Sequence, residues 1–253
     1  MENTTDSRER FSDRTENYAK YRPGYPKACL DYLVSLGLNK HSAVADIGAG
    51  TGIFTRLLVY AAGKIYAIEP NREMRHAAEA ALKGYRNVHF IDADAENTTL
   101  RNKSVEFITC AQSFHWFDRE KAKEEFHRIL RWDGKAALIW NVRQTESDDF
   151  GREYESLLVR CSRDYKKVDH RNVSDAGFEY FFKDGKYTKT VFDNDQAYDL
   201  PGIIGRTLSS SYVPLEGEVN DVLMKGVRRL FNKYNRDGTV TFRIKTEMYT
   251  GEV

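Results

Sequence analysis

The stretch that decides the fold is Val44-Ala45-Asp46-Ile47-Gly48-Ala49-Gly50-Thr51-Gly52-Ile53-Phe54. In it a short apolar run is followed by three glycines that alternate with small residues. Apolar residues then recur at helical spacing, at Phe54, Leu57, Leu58 and Ala61. This order predicts a strand, a sharp glycine turn and a helix. Glycine suits such a turn because a side chain would keep a ligand away from the backbone. The stretch therefore indicates a nucleotide-binding α/β unit.

The spacing of the glycines separates one kind of ligand from another. Dinucleotide-binding folds use G-x-G-x-x-G, in which the turn and the helix N-terminus hold a pyrophosphate, whereas this chain has G-x-G-x-G. Asp46 lies two residues before the first glycine, where its carboxylate would repel a pyrophosphate and attract a cation. S-adenosylmethionine carries an ammonium and a sulfonium and has no phosphate, so we infer that it is the ligand. An ordinary glycine turn without a ligand is the alternative.

Composition limits the classes of partner. The 253 residues fit one large domain or one domain with a small appendage. Lysine and arginine (39) balance aspartate and glutamate (38), which gives no strong case for nucleic acid or an anionic membrane as a partner, although the balance is compatible with a local charged patch. The odd number of dispersed cysteines (3) indicates reduced thiols without metal-type spacing. No apolar run approaches the roughly 18 residues that would span a bilayer. We expect a cytoplasmic monomer or homodimer.

Apolar patterns of the first 142 residues alternate between strand and helix. Beyond the opening unit, strands are predicted at 64–69, 88–92, 105–111 and 135–140, mostly with amphipathic helices between them. The last of these is almost wholly apolar, as a strand covered on both faces should be. Asp118 is a plausible N-cap for the helix that follows the fourth strand. This alternation predicts a parallel sheet with helices on both faces.

The pattern changes after Asn141. The loose basic cluster at 163–171 is either a solvated face or, less plausibly, a binding patch. Residues 240–248 alternate with period two, which predicts a strand antiparallel to its neighbours. We divide the chain into an N-terminal segment and lid helix (1–40), a cofactor-binding core (41–142), a cap that carries substrate-binding insertions (143–186 and 195–236), and final sheet strands (187–194 and 237–253).

Two acidic positions follow the second and third predicted strands. Glu69 lies about twenty residues beyond the glycine turn, where an acid accepts hydrogen bonds from ribose hydroxyls. Asp94 belongs to Asp92-Ala93-Asp94-Ala95-Glu96, which is either an acidic loop or a site whose Asp94 accepts the adenine N–H. Glu69 and the glycine turn lie at the ends of adjacent predicted strands, so together they indicate a binding site for a ligand with a ribose.

Aromatic residues and one histidine follow the fourth strand, in Gln112-Ser113-Phe114-His115-Trp116-Phe117. Ligands of open α/β sheets bind at that edge, so His115 and Trp116 are candidate substrate contacts. His115 is also the candidate general base, although a lone histidine is often only a packing or hydrogen-bonding residue.

Tyrosines and charges dominate Phe11–Pro26, which Pro23 and Pro26 keep from being one helix. The segment is either a partly packed entry segment or a lid over the ligand. Tyr18, Tyr21 and Arg22 favour the lid because they offer aromatic faces and a guanidinium.

These motifs together resemble class I S-adenosylmethionine-dependent methyltransferases, in the small-molecule group that includes trans-aconitate methyltransferases. The resemblance is carried by 45–52, by Ile68-Glu69-Pro70-Asn71 with Met74, by 94–96, by 112–117, and by 18–23, 209–212 and 249–251. Ala93 departs from the pattern, because many relatives have glycine there.

The resemblance implies a Rossmann-like three-layer sandwich with a seven-stranded, mostly parallel sheet whose last strand is antiparallel, plus a helical cap. It also implies that Gly48 and Gly50 line the methionine part of the cofactor, that Glu69 holds the ribose, and that Asp94 and Ala95 meet the adenine. Tyr18 and Arg22 would cover the site. The full expected cofactor set is Tyr18, Arg22, Asp46, Gly48, Ala49, Gly50, Glu69, Pro70, Asp94, Ala95 and Gln112, and the expected substrate set is Tyr21, His115, Trp116, Arg143 and Tyr212.

Methyl transfer from a sulfonium mainly requires alignment and exclusion of water. The acceptor is expected to be a small molecule, and an acid is favoured because the segment 143–206 carries Arg143, Arg171 and Arg206. These arginines are equally compatible with a surface position. Alternatives are a nicotinamide-dependent oxidoreductase, which lacks its glycine spacing here, an RNA or protein methyltransferase, and a non-catalytic S-adenosylmethionine-binding protein.

Overall fold

The computed structural model of the protein describes residues 14–162, 165 and 174–253. The first 13 residues of the expected N-terminal segment and most of the basic cluster at 163–171 lie outside the described residues. The described helices are α1 (Thr15–Tyr21), α2 (Lys27–Ser35), α3 (Ile53–Leu58), α4 (Arg72–Ala81), α5 (Arg119–Ile129), α6 (Asp149–Cys161), α7 (Asp175–Phe181), α8 (Leu200–Leu208) and α9 (Glu218–Tyr234). The strands are β1 (Ala43–Ile47), β2 (Lys64–Ile68), β3 (Val88–Ile91), β4 (Val105–Ala111), β5 (Leu130–Arg143), β6 (Thr188–Asp193), β7 (Gln196–Tyr198), β8 (Val240–Phe242) and β9 (Ile244–Gly251). Short 3-10 turns lie at Phe114–Trp116 and Lys183–Gly185.

Seven strands form one sheet in the order β3-β2-β1-β4-β5-β9-β6. The pairs among β1 to β5 are parallel, and β9 runs antiparallel to both β5 and β6. The expected seven-stranded, mostly parallel sheet with an antiparallel last strand is thus confirmed. The strand order reverses between β1 and β4, and in open α/β sheets ligands bind outside the carboxyl ends of the strands at such a point.

Apolar side chains cover both faces of the sheet, which makes three layers. One face buries residues of α5 and α7 such as Phe126 and Phe181, and the other buries residues of α2 and α3 such as Leu33 and Leu58. A third apolar cluster joins α6, α8, α9 and the two-stranded β7–β8 sheet into a separate cap. The Rossmann-like core and its helical cap therefore have distinct hydrophobic interiors.

The structure differs from the expected boundaries in two places. Helix α7, inside the segment expected as cap, packs Phe178 and Phe181 into the core of the main sheet. The single strand expected over 240–248 is divided at Arg243, because the Ile244 N–H donates to the Asp195 carboxylate (3.0 Å) and the Arg243 carbonyl accepts from the Gln144 N–H (2.8 Å). Residues 240–242 consequently pair with β7 in the cap.

Several helix starts follow directly from the sequence. Asn71 accepts the Met74 N–H at the start of α4, and Asp199 accepts the Gly202 N–H at the start of α8. The expected N-cap Asp118 accepts the Lys121 N–H (3.4 Å). Such side chains satisfy backbone donors that have no partner within the helix. Among the described residues no helix combines the length and the apolar character that a bilayer crossing requires.

Candidate functional site

A cavity of about 400 Å³ opens at the carboxyl ends of β1 to β4. Its size lies within the range of ligand sites. Every residue expected to bind the cofactor lines it, as does Trp116 from the expected substrate set. The topology accounts for this convergence, because the loops after neighbouring parallel strands meet at one edge of the sheet. The cavity-lining members of the expected cofactor set are Tyr18, Arg22, Asp46, Gly48, Ala49, Gly50, Glu69, Pro70, Asp94, Ala95 and Gln112.

The glycine turn forms the floor of this cavity between β1 and α3. Gly48, Gly50 and Gly52 have φ values of 68°, 57° and 79°, in the left-handed region that favours glycine. A Cβ atom on Gly48 would lie 2.4 Å from the Ser113 Cβ, so the turn also needs glycine in order to approach the loop after β4. The backbone of the turn is thereby left open to the cavity.

Glu69 ties the turn to the loop after β2. Its Oε2 accepts the Gly50 N–H (2.8 Å) and its Oε1 accepts the Asn71 N–H (2.9 Å). Burial raises the pKa of Glu69, and these two hydrogen bonds oppose the rise. A carboxylate offers about four acceptor positions, so Glu69 retains capacity to accept from a ligand.

Asp46 is buried beneath the turn and bridges three elements. Its carboxylate accepts the Thr55 hydroxyl of α3 (2.6 Å) and the Thr109 hydroxyl of β4 (2.8 Å). Burial raises the pKa of Asp46 to about 6, although both hydroxyls favour the charged form. Asp46 therefore organises the turn as well as lining the cavity.

The loop after β4 forms one wall of the cavity. Gln112 has a φ of 60°, which is unusual for a non-glycine residue and turns the chain sharply at the strand end. The Ser113 hydroxyl donates to the Ile47 carbonyl (2.7 Å), and Phe114 is fully buried. The Nδ1 of His115 lies 3.3 Å from the Trp140 Nε1. Indole N–H is only a donor, so this bond requires Nδ1 to accept and leaves the neutral ring's proton on Nε2.

Helix α1 and the residues after it cover the cavity from the N-terminal side. The Arg22 guanidinium lies 4.7 Å from the centre of the Tyr18 ring, and its Nη2 donates to the Ser209 carbonyl of the cap (3.1 Å). Two buried polar atoms of cavity-lining residues, Arg22 Nε and Thr51 Oγ1, have no hydrogen-bond partner in the described part of the chain. Buried polar atoms are normally satisfied, so these atoms indicate that the cavity accommodates a polar ligand.

Four residues of the expected substrate set do not line this cavity. They are Tyr21, His115, Arg143 and Tyr212. Tyr21 packs its ring against Gly205, whereas Arg143 donates to Glu155 (2.9 Å) and to the Tyr165 hydroxyl (2.7 Å) inside the cap. Tyr212 packs edge-on against Tyr165 (4.7 Å between ring centres). Their expected contact with substrate stays a prediction.

The cavity is also lined by residues that belong to neither the expected cofactor set nor the expected substrate set. Asn71 and Met74 follow Glu69, and their spacing as N-cap and first helical turn was a usable signal. Asn141 has no such signal. Its amide donates to the Gly24 carbonyl (3.1 Å), and its carbonyl accepts the Thr246 hydroxyl (2.6 Å), so its place depends on long-range contacts. Further lining residues include Tyr25, Ile53, Phe54, Glu96, Ser113, Phe117 and Lys121.

Comparison with known proteins agrees with this geometry. Residues 45–138, which contain the glycine turn, Glu69, Asp94 and the loop after β4, match the family described as "Methyltransferase domain". Together with the relatives named as methyltransferases, this match supports an S-adenosylmethionine-dependent methyltransferase. An uncharacterized methyltransferase of Schizosaccharomyces pombe is 28% identical to this chain over an alignment of 254 positions, which covers 96% of each chain.

A second relative matches part of the chain, and a solved structure matches nearly all of it. An uncharacterized methyltransferase of Mycobacterium tuberculosis is 35% identical over 150 residues, or 59% of each chain. The solved structure of a proposed type II methyltransferase from Anaeromyxobacter dehalogenans superposes with a TM-score of 0.66 at 19% identity, over 92% of this chain and 98% of that one. At that identity the superposition supports the fold.

The residues around the cavity fit S-adenosylmethionine chemically. The cavity is lined by three acids, Asp46, Glu69 and Asp94, which suit a ligand that carries positive charge and ribose hydroxyls. The glycines in the left-handed region leave the backbone of the turn open to contact this ligand. The unsatisfied Arg22 Nε offers a donor suited to a carboxylate.

Proposed function

We propose that this protein transfers the methyl group of S-adenosylmethionine to a small-molecule acceptor, for which a carboxylic acid is the favoured class. The observation that carries the proposal is the cavity into which the strand ends bring the glycine turn, Glu69 and Asp94 together. The resemblance to the trans-aconitate methyltransferase group supports the acid class.

Individual residues have defined roles in this proposal. Glu69 binds the ribose hydroxyls, Asp94 and Ala95 contact the adenine, and the backbone at Gly48 and Gly50 lies along the methionine part. Tyr18 and Arg22 close the cavity against water. When bound, S-adenosylmethionine supplies a methyl group that its sulfonium already activates, so the chain's residues contribute mainly orientation and exclusion of solvent.

The need for a base depends on the acceptor. A carboxylate is nucleophilic at neutral pH, whereas a hydroxyl or a carbon acid requires deprotonation. His115 is the candidate base, and its Nδ1 is occupied by the Trp140 N–H. An acid acceptor makes that role unnecessary, which is consistent with the position of His115 outside the cavity lining.

The proposal is tested by incubating the purified protein with S-adenosylmethionine and a panel of small acids, alcohols, amines and thiols. Mass detection of a product heavier by one methylene group, together with consumption of the cofactor, is the expected result for at least one acid. Methylation confined to added RNA or protein would contradict the small-molecule proposal. Binding of S-adenosylmethionine without turnover on any acceptor would favour the non-catalytic alternative.

A further inference from the structure

A side chain of α4 joins the carboxyl ends of β2 and β3. The Glu69 N–H extends the parallel pairing of these strands by donating to the Ile91 carbonyl (3.1 Å). Just beyond that bond lies the guanidinium of Arg75. Its Nη1 donates to the carbonyls of Glu69 (2.6 Å) and Pro70 (3.3 Å), and its Nη2 donates to the Asp92 carboxylate (2.8 Å). One guanidinium therefore bridges the chain after β2 and the chain after β3.

The ion pair alone does not explain why this arginine is shielded from water. The Arg75 side chain is 12% exposed, whereas the Asp92 side chain is 69% exposed. An ion pair with an exposed partner adds little stability. The two carbonyl bonds are the stronger reason, because a guanidinium offers five donors in a fixed planar fork and can satisfy several acceptors at once. The arrangement fits a side chain that fixes the backbone.

Both segments that Arg75 joins carry residues of the ligand cavity. Glu69 lines the cavity after β2, and Asp94 and Ala95 line it after β3, beginning two residues beyond Asp92. Arg75 lies behind this lining and contacts the backbone of Glu69 directly. The spacing between the two lining segments therefore depends on a residue that does not itself line the cavity.

The charge of Arg75 also acts on the Glu69 carboxyl. Glu69 is 8% exposed, and its burial raises the pKa of that carboxyl. The N–H groups of Asn71 and Gly50 oppose the rise, as does the positive charge of Arg75, whereas the Asp46 carboxylate adds to it. The charged groups that act most on Glu69 are thus Arg75 from α4 and Asp46 from β1.

We propose that Arg75 is a positioning residue for S-adenosylmethionine, which sets the affinity for the adenosine half of the cofactor by holding the ends of β2 and β3 at a fixed spacing. A binding site is precise only when its supporting residues hold the contacting groups closely in place. This inference rests on the roles proposed above for Glu69 at the ribose and Asp94 at the adenine. Arg75 acts through these residues and takes no part in bond making.

Calorimetric titration compares the parent with Arg75→Gln, Arg75→Lys and the control Arg72→Gln, which removes an exposed arginine from the same helix. The ligands are S-adenosylhomocysteine and 5′-methylthioadenosine, which lacks the amino-acid part. Arg75→Gln should raise both Kd values by the same factor, about tenfold, because both ligands contain the adenosine half. Arg75→Lys should recover part of the affinity, since it keeps the charge without the planar fork. Arg72→Gln should stay within about twofold of the parent.

A double-mutant cycle shows whether Arg75 acts through Glu69. Groups in one hydrogen-bonded network are not additive, so Arg75→Gln should cost at least about threefold less affinity in the Glu69→Gln background than in the parent. The same cycle with Tyr18→Leu, on the lid side of the cavity, should be additive. Additivity with Glu69→Gln would overturn the inference.

The pH dependence gives a readout that a merely structural arginine would not change. Without the charge of Arg75, the pKa of Glu69 should be higher, so its carboxylate is protonated at a higher pH. The Kd of Arg75→Gln relative to the parent should therefore increase as the pH is lowered from about 8 to about 6. Arg75→Lys keeps the charge and should show a constant ratio. Asp46 is present in every variant, so its titration affects both members of each ratio.

Asp92→Ala keeps the test decisive if Arg75→Gln does not fold. It removes one arm of the bridge at an exposed residue and should raise the Kd for 5′-methylthioadenosine about twofold to fivefold. A lower Tm with an unchanged Kd, in whichever of the two variants folds, would make Arg75 structural and overturn the inference. Failure of the parent to bind S-adenosylmethionine would instead contradict the proposed function, so the two failures are distinguishable.

Discussion

Gly48 must be glycine for two reasons, its backbone conformation and its close contact with another loop. Gly48→Ala would combine a positive φ of 68° with a Cβ placed 2.4 Å from the Ser113 Cβ. We expect the left-handed conformation to cost about 1–2 kcal/mol of unfolding free energy and the steric overlap a further ~1–3 kcal/mol. Urea denaturation of the ligand-free protein measures the sum.

Gly50→Ala is the matched control for that substitution. Gly50 has a φ of 57°, but its Cβ would meet only the Met74 Sδ, at 3.9 Å. It should therefore show the conformational cost without the overlap, and equal losses at the two glycines would contradict the importance of the Ser113 contact.

Asp46 gives the protein a specific dependence on pH. Its native pKa of about 6 lies above the ordinary 3.8, so between these values the native protein holds a proton that the unfolded chain has released. The contribution of Asp46 to the free energy of unfolding should fall as pH rises from about 4 to about 6, by about 3 kcal/mol. Denaturation of the parent and of Asp46→Asn at pH 4, 5, 6 and 7 isolates this term. Parallel profiles would show that Asp46 does not titrate in this range.

The sequence predicted cavity-lining residues best where they follow predicted strands. Glu69 and Asp94 could be placed because an apolar run marks the end of each strand, and parallel strand ends share one edge. Arg143 lies at the end of β5, yet its side chain turns into the cap toward Glu155. That direction depends on the packing of α6, which no local pattern encodes.

At the scale of elements, the position of α1 over the cavity depends on a close contact with α8. A Cβ on Gly205 would lie 2.1 Å from the Tyr21 Cδ2. We expect Gly205→Ala to displace α1, and with it Tyr18 and Arg22, and to raise the Kd for S-adenosylmethionine about tenfold. Calorimetric titration measures this affinity.

Gly226→Ala is the control for the lid substitution. It places a Cβ 2.7 Å from Leu157 inside the cap, away from the cavity lining. It should reduce stability and leave cofactor affinity within twofold. If both variants weaken binding equally, α1 has no particular role as a lid.

The sequence predicted strands and helices well where the spacing of apolar residues matches the residues that the structure buries, as in β1 to β5. The alternation over 240–248 did not reveal its division at Arg243, because the apolar residues on both sides of Arg243 stay buried. Val240, Phe242 and Ile244 pack in the cap cluster, whereas Met248 packs in a cluster on one face of the main sheet. The spacing of apolar residues in the sequence indicates that a residue is buried, but it does not indicate which element that residue packs against.

At the scale of the whole molecule, the protein combines a main sheet and a cap that have separate hydrophobic cores. The sheet edge carries the glycine turn and the acids, and the cap contacts the lid residue Arg22 through the Ser209 carbonyl. We therefore expect cofactor affinity to depend mainly on the sheet edge and acceptor choice mainly on the cap.

The central claim is that the cavity binds S-adenosylmethionine through Glu69, and calorimetric titration tests it most directly. The parent should bind S-adenosylmethionine with a micromolar Kd and show no binding of NAD. Glu69→Gln should weaken binding of S-adenosylmethionine at least tenfold, because a carboxylate acceptor for the ribose is lost, whereas the exposed control Glu79→Gln should not. Micromolar binding of NAD without binding of S-adenosylmethionine, or an unchanged Kd in Glu69→Gln, would contradict the claim.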